Sequence, residues 1–596
     1  MEYLGINIDL ERDKLFDELG IKRLRESYMT EEETSPQQRF AFVSKTFGSN
    51  PEHAQRLYDY SSQHWLSYAT PILAFGKSSK GMPISCFLNF INDTAEGLVE
   101  NLSETNWLSM MGGGVGIGFG IRAAGEKSTG VMPHMKIYDA SSLAYRQGKT
   151  RRGSYAAYLN ISHPDIIPFL EMRKPTGDPN VRCLNMHHGI NITDDFMQII
   201  ERCMLDPNAN DDWELKDPHS NEVREVVSAK LLWQEILELR MHTGEPYIHF
   251  IDTSNRHLPQ WLKDKGLEVH QSNLCSEIIL PTNKDRTAVC CLSSLNLEYY
   301  DDWKQDPLFL RDVAEMLDNV LQYFIDNAPD AIARARFSAS RERSIGIGAL
   351  GWHALLQKKS LPWEGVLAKS LNNQIFSMVR GKLNEANQSL GKERGEAPDA
   401  EGTGNRFSHL MAIAPNASSS IIMGNTSPSI EPYRANAYRQ DTLSGSFLNK
   451  NKYLDMIIRE EANNHNEGWA DEVWSSIIAN DGSVQHLTWM DEYTKDVFKT
   501  SMEIDQRWVI EHAADRQQYI DQAQSLNLFF RPDSNIKYIH AIHFTAWKKG
   551  IKTLYYCRSE KIGKADKVSK KIEREVIKEI DMTLIAQGND CIACEG

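Results

Sequence analysis

The sequence predicts an α/β protein in which a strand core is covered by helices and preceded by a helical N-terminal region. Three observations carry this. Residues 1 to about 80 read as helical: Asn50-Pro51 supplies an N-cap and first-turn proline ahead of EHAQRLYDYSSQHWLSYA, which Thr70-Pro71 then ends. From about 85 to 450, strand-like runs (ISCFLNF, VGIGFGI, AAYLNI, EIILP) alternate with helical patterns such as LLWQEILELRMH. The chain has 596 residues, too many for one ordinary core.

The remaining segments fit around that core. Residues 205–225 are acidic and turn-rich, which predicts a surface excursion. Residues 455–540 read as helical and charged, and IKTLYYC as a strand followed by a lysine- and glutamate-rich stretch. The last residues, AQGNDCIACEG, carry no packing signal and are expected to be mobile. Four regions are expected: 1–84 helical, 85–450 the strand core, 451–575 helical and α/β, and 576–596 a redox tail.

Composition narrows the function classes. A formal charge of −15 argues against nucleic-acid binding through a global basic field, while small phosphorylated ligands need only a local pocket. No apolar run approaches the ~20 residues that span a bilayer, and the acidic start MEYLGINIDLERDK has no apolar signal region. A cytoplasmic location is expected. Nine scattered cysteines, an odd number, argue for reduced thiols rather than a disulfide framework.

Several stretches carry chemistry. In QSNLCSEIILPT, Asn273, Cys275 and Glu277 alternate, so an extended segment would point amide, thiol and carboxylate the same way. Alone, this pattern is better read as a half-buried loop beside a strand. Cys86 lies in one strand-like run and Cys290-Cys291 in another, AVCCLSSLNL, and spacing does not say whether they meet. Cys591 and Cys594 form a C-x-x-C suited to thiol–disulfide exchange, with half a zinc site as the alternative. Tyr555 and Tyr556 are adjacent in a strand-like run, which alone predicts one inward and one outward ring. MGGGVGIGFG lets backbone approach a ligand closely, and APNASSS puts hydroxyls at a helix start, either an anion site or an ordinary cap.

In order, SCFL, GGGVGIG, NLCSE, a cysteine before LSSLN, PNASSS, SIEPYR, KTLYY and a terminal cysteine pair resemble the large subunit of class I ribonucleotide reductase, over roughly residues 25 to 596. The resemblance implies a ten-stranded α/β barrel with a central finger loop bearing the radical cysteine. It implies that Cys275 is that cysteine, abstracting the ribose 3′ hydrogen, with Glu277 the base on the 3′ hydroxyl and Asn273 orienting the same region. Cys86 and Cys290 become the reducing pair, Cys290 rather than Cys291 because the family pattern C-x-L-S-S-x-N starts there. Cys591 and Cys594 re-reduce them and are served by thioredoxin or glutaredoxin.

By the same resemblance, Tyr555 and Tyr556 relay the radical from the metal cofactor of a small partner subunit. Thr70, Ser85, Gly114, Asn416, Ser418 and Ser419 bind a ribonucleoside diphosphate. Asp93, Arg122 and Arg151 serve ATP or deoxynucleoside triphosphate effectors. A homodimer is implied, with no covalently bound cofactor and no metal in this chain. The family's N-terminal cone has a V-x-K-R-D-G-like signature that does not occur here, so specificity control without a cone-based switch is expected. The alternatives are a cobalamin-dependent reductase, which lacks the tyrosine pair, and an inactive nucleotide-binding homologue.

Overall fold

A computed structural model describes residues 1–77, 81–145, 154–442 and 445–559. The N-terminal region is built on capped helices. Asp17 accepts from the Gly20 N–H at the start of α1 (Glu18–Ser27). A Ser35/Gln38 capping box opens α2 (Pro36–Phe47). Asn50 accepts from the His53 N–H at the start of α3 (Pro51–Ser62), the cap expected from the sequence.

Two details differ from expectation. Residues Glu2–Tyr3 and Ile6–Asn7 pair as a small hairpin. The third helix stops at Ser62, and Leu66–Tyr68 returns as a strand against residues 293–295. Ladder pairing at Leu66 and Tyr68 overrides the helical periodicity of that stretch.

Eight strands form the core circuit: β1 (Cys86–Ile91), β2 (Gly114–Phe119), β3 (Ser154–Asn160), β4 (His187–Ile192), β5 (Tyr247–Phe250), β6 (Ala288–Asn296), β7 (Ile345–Leu350) and β8 (Thr553–Leu554). β1 to β5 are parallel neighbours. β6 runs antiparallel to β1, β7 parallel to β6, and β8 antiparallel to β5. Two irregular segments, 409–413 and 523–526, close the gap between β7 and β8. The Ile347 N–H donates to Leu410 O at 2.9 Å, Ile413 N–H to Ala523 O at 3.0 Å, and Tyr555 N–H to Leu526 O at 2.9 Å. The circuit therefore has ten members in two halves of opposed direction. Its strands are largely buried because both faces are covered, and polar side chains such as Asn89, His188, Asn191 and His249 are buried with them.

The interior is filled by residues 271–281. EIILP, expected as a strand, is the return leg of this loop rather than a sheet member. Glycines in β2 make room for it. A Cβ on Gly116 would lie 2.1 Å from Ser272 O, and one on Gly118 would lie 2.8 Å from Gln271 Oε1. The glycine-rich run thus admits the protein's own loop at these two positions, where a ligand had been expected. The excursion at 205–225 contains an exposed hairpin, Asp212–Lys216 with Val223–Ser228. A second, smaller core around Leu454, Ile458, Trp474, Ile477 and Phe498 lies within residues 437–498.

Gly116→Ala should destabilise the fold by about 1–3 kcal/mol through overpacking. Gly125→Ala, whose added Cβ meets nothing within 4 Å, should be near neutral. Urea midpoints at constant m-value give the comparison, and equal midpoints would refute this account.

Candidate active site

The tip of the inner loop is a tight turn, not the extended segment expected. The Asn273 N–H donates to Ile278 O at 3.1 Å, the Ser276 N–H to Asn273 O at 3.4 Å, and Ser276 adopts φ 72°. A left-handed serine costs on the order of 1 kcal/mol and persists because its surroundings hold it. The turn, not alternation, sets the positions of the three residues. Asn273 Oδ1 accepts from the Ile278 N–H at 3.0 Å, so half of its amide closes the turn, while its buried Nδ2 has no partner among the described residues. Tyr158 Oη donates to Asn273 O at 2.7 Å. Ser525 Oγ lies 2.5 Å from the Cys275 backbone O and 3.1 Å from Glu277 Oε2, so its one proton is shared between the Cys275 carbonyl and the carboxylate. Cys275 and Glu277 are fully buried.

The seam between the two halves places Cys86 directly opposite Cys290 in the antiparallel register. Such partners have Cα atoms about 4.5–5.5 Å apart, inside the range a disulfide accepts. Cys291 points to the other face of β6. Cys86 and Cys290, but not Cys291, line a small cavity with Ala69, Pro71 and Ser85. All three thiols are reduced and buried. Burial pushes the Cys290 thiol well above its ordinary pKa, and neighbouring Cys86 and Glu277 push it the same way, against a bond from Gln522 Nε2 at 3.5 Å. Cys290 is thus held as a thiol at neutral pH.

The two tyrosines do not face opposite sides, because the strand breaks between Leu554 and Cys557. Their rings lie 4.3 Å apart at 50°, and Tyr555 Oη donates to Cys275 Sγ at 3.5 Å. Tyr247 packs against both, at 4.8 and 5.1 Å. The Arg558 guanidinium stands 4.2 Å over the Tyr556 ring. Buried Arg240 fixes the backbone, donating to Tyr555 O at 3.0 Å. A cavity of ≈ 420 Å³ opens beside this group, lined by Tyr555, Tyr556, Arg558, Arg434, Glu431 and Asn527.

Sequence reading missed Tyr247, Arg240, Arg558, Gln522 and Ser525. Tyr247, Arg240, Gln522 and Ser525 reach the site from distant elements, while Arg558 lies two residues past Tyr556 in the same run, where no pattern marks it.

The remaining described candidates fall into three places. Ser85 and Gly114 meet where β1 and β2 begin, the Gly114 N–H donating to Ser85 O at 2.7 Å, and Thr70 Oγ1 lies 3.2 Å from Tyr28 Oη. Asn416 adopts φ 55° before the short helix Ala417–Ile422 and does not cap it. Its side chain instead accepts from Ser294 Oγ at 3.2 Å and donates to Ala349 O at 3.1 Å. Arg23 reaches across from α1 to donate to Ser418 Oγ at 3.0 Å, and Ser419 is buried beside it. Asp93 and Arg122 form an ion pair at 2.6 Å, away from the thiols. Arg151, Cys591 and Cys594 lie outside the described residues.

Among the described residues one trio of metal-type ligands converges, His53, Asp312 and Glu315. Arg56 at 2.6 Å and Tyr60 at 3.0 Å already occupy its Asp312. No described helix is long and apolar enough to cross a membrane.

Comparison with known families matches residues 14–81 to the ribonucleotide reductase all-alpha domain, and residues 84–403 and 397–557 to the ribonucleotide reductase barrel domain. This chain belongs to the ribonucleotide reductase large-subunit family. It is 50% identical to the ribonucleoside-diphosphate reductase large subunit of Invertebrate iridescent virus 3, over 99% of this chain and 100% of that one. It is 38% identical to the large subunit of Invertebrate iridescent virus 6, over 98% and 96%. Among solved structures, the class Id ribonucleotide reductase alpha subunit of Actinobacillus ureae superposes with a TM-score of 0.81 at 33% identity, covering 93% of this chain and 98% of that one. The fold expected of a reductase large subunit, a helical domain and then a curled, mostly parallel barrel sheet, is the one observed.

Mild oxidation of this reductase subunit should yield a Cys86–Cys290 linkage in peptide mapping. Cys291→Ser should leave it intact and Cys290→Ser should abolish it; a Cys86–Cys291 linkage would overturn the register argument.

Proposed function

We propose that this chain is the catalytic subunit of a class I ribonucleoside-diphosphate reductase, converting ribonucleoside diphosphates to deoxyribonucleotides by thiyl-radical chemistry. The contact that carries the reading is Tyr555 Oη on Cys275 Sγ at 3.5 Å, with Tyr556 packed behind it. Such a stack gives an electron path from the protein's edge to a thiol sealed inside the barrel. The radical originates on the partner small subunit and reaches Cys275 through Tyr556 and Tyr555.

The Cys275 thiyl takes the ribose 3′ hydrogen, and Glu277 takes the proton of the 3′ hydroxyl. Asn273 Nδ2 is left to bond the sugar. The 2′ hydroxyl leaves as water, Cys86 and Cys290 supply two electrons and two protons and become a disulfide, and Cys275 returns hydrogen to the 3′ carbon. Cys591 and Cys594 then reduce the disulfide by exchange and are reduced by thioredoxin or glutaredoxin.

Asn416, Ser418 and Ser419 hold the diphosphate, and Thr70, Ser85 and Gly114 the adjoining part of the substrate. Asp93, Arg122 and Arg151 form the effector site for ATP or deoxynucleoside triphosphates, the Asp93–Arg122 pair opening to admit them. We assign residues 1–84 to the helical domain, 85–450 to the barrel, 451–575 to the region bearing the tyrosines, and 576–596 to the redox tail. The enzyme works in the cytoplasm as a homodimer. Exposed Val99 and Trp107 on Ala95–Met110 and Ile137 on Val131–Ala144, at 70, 45 and 48% exposure, favour a subunit contact on those helices.

Deoxynucleotide formation with the cognate small subunit should vanish in Cys275→Ser, and equal activity in the two proteins would sink the radical reading. Tyr556→Phe should block turnover while nucleotide binding is unchanged. Turnover by the wild type with adenosylcobalamin and no partner would reassign the enzyme to the cobalamin-dependent class.

A further inference from the structure

A buried charge cluster lies beside the outer tyrosine. Glu245, 1% exposed, stands just before β5 and is bonded on three sides. His187 Nδ1 lies 2.6 Å from Oε1; His188 Nδ1 and the His188 N–H both lie 3.1 Å from Oε2; Arg173 Nε lies 3.4 Å from Oε2. These partners hold the Glu245 carboxyl well below the usual range although burial alone would raise it. Burying a carboxylate costs several kcal/mol before pairing, and apolar residues often fill such space at no loss of stability. An ion cluster here is therefore weakly explained by stability alone.

Its geometry points to Tyr556. His188 has both ring nitrogens engaged, Nε2 lying 3.2 Å from Leu170 O. His187 differs. The nitrogen that faces Glu245 also lies 3.4 Å from Tyr556 Oη, and the imidazole sits edge-on to that ring at 82°. With an ionised carboxylate 2.6 Å away, Nδ1 carries a single proton that goes chiefly to Glu245 Oε1, and the phenol oxygen at 3.4 Å is its second, longer acceptor. His187 also lies nearly parallel to Tyr247, at 19°, which limits its own rotation.

We propose that His187 is a positioning residue for Tyr556: oriented by buried Glu245, its imidazole edge meets the phenol oxygen as the second acceptor of the Nδ1 proton and keeps the ring packed on Tyr555. Arg558 lies against the Tyr556 ring itself, so ring and oxygen are held by different groups. The proposal rests on the reading of Tyr556 as a radical carrier.

The test uses the full chain with its cognate small subunit. His187→Phe should lower kcat roughly tenfold, the scale of one lost hydrogen bond. KM for the nucleoside diphosphate should not change. His187→Asn, whose amide nitrogen can stand near Nδ1, should recover most of the loss. A spectroscopic readout separates positioning from scaffolding. With Tyr556→3-aminotyrosine trapping the radical at that position, ENDOR in D2O should show a deuteron coupling beyond those of the probe's own amino group, which His187→Phe removes and His187→Asn retains.

If His187→Phe does not fold, 15N-histidine labelling in the otherwise unaltered background should still give a histidine nitrogen coupling, and its absence overturns the proposal. Wild-type kcat in His187→Phe, or an unchanged deuteron coupling, also overturns it. Tyr556→Phe in the same assay keeps the two readings apart. Turnover there defeats the radical path itself, whereas an inactive Tyr556→Phe beside an unimpaired His187→Phe defeats only the role of His187.

Discussion

The whole arrangement depends on a loop packed where a barrel would ordinarily hold side chains. Residues 271–281 occupy the interior because β2 presents bare backbone at Gly116 and Gly118, and the loop's peptide groups find partners in Tyr158, Ala523 and Ser525. A buried loop is expensive unless its polar groups are bonded. Here the same bonds that satisfy it also aim it. Ser525 joins Cys275 to Glu277, and Asn273 spends its oxygen on the turn and leaves its nitrogen available. Fold stability and thiol placement are thus one problem, solved by one set of contacts.

Around that tip the barrel supplies two further approaches from different directions. The seam between the halves brings Cys86 and Cys290 into register, and the break in the last strand turns Tyr555 toward Cys275. Each depends on a departure from regular structure or on a join between regular pieces. The strands mainly contribute frames, with the two thiols on their inner faces and His187 and Tyr247 at the starts of β4 and β5 as the side chains they bring to the site.

Legibility in the sequence followed the range of the interactions. Helix caps at Asn50 and the strand runs at 86–91, 114–119 and 154–160 were readable because local propensity and pattern decide them. The ordered motifs identified the family, and Cys275, Glu277, Cys86 and Cys290 follow from it as candidates. What could not be read was set by distant partners. The extended geometry expected at 273–277 became a turn, and EIILP never joined a sheet, because the surrounding barrel overrides local preference. Tyr247, Arg240 and the Glu245–His187 pair carry no local signal, since their roles exist only once β4, β5 and the 553–559 segment are neighbours.

The position of the thiol pair has a mechanical side. Where β1 meets β6, the two halves of the barrel are joined along that edge by ladder hydrogen bonds. A covalent bond between Cys86 and Cys290 would cross the same edge, so oxidising the pair would rivet the halves together and reducing it would release them. The redox state of two sulfur atoms would then set how freely the halves of the barrel breathe.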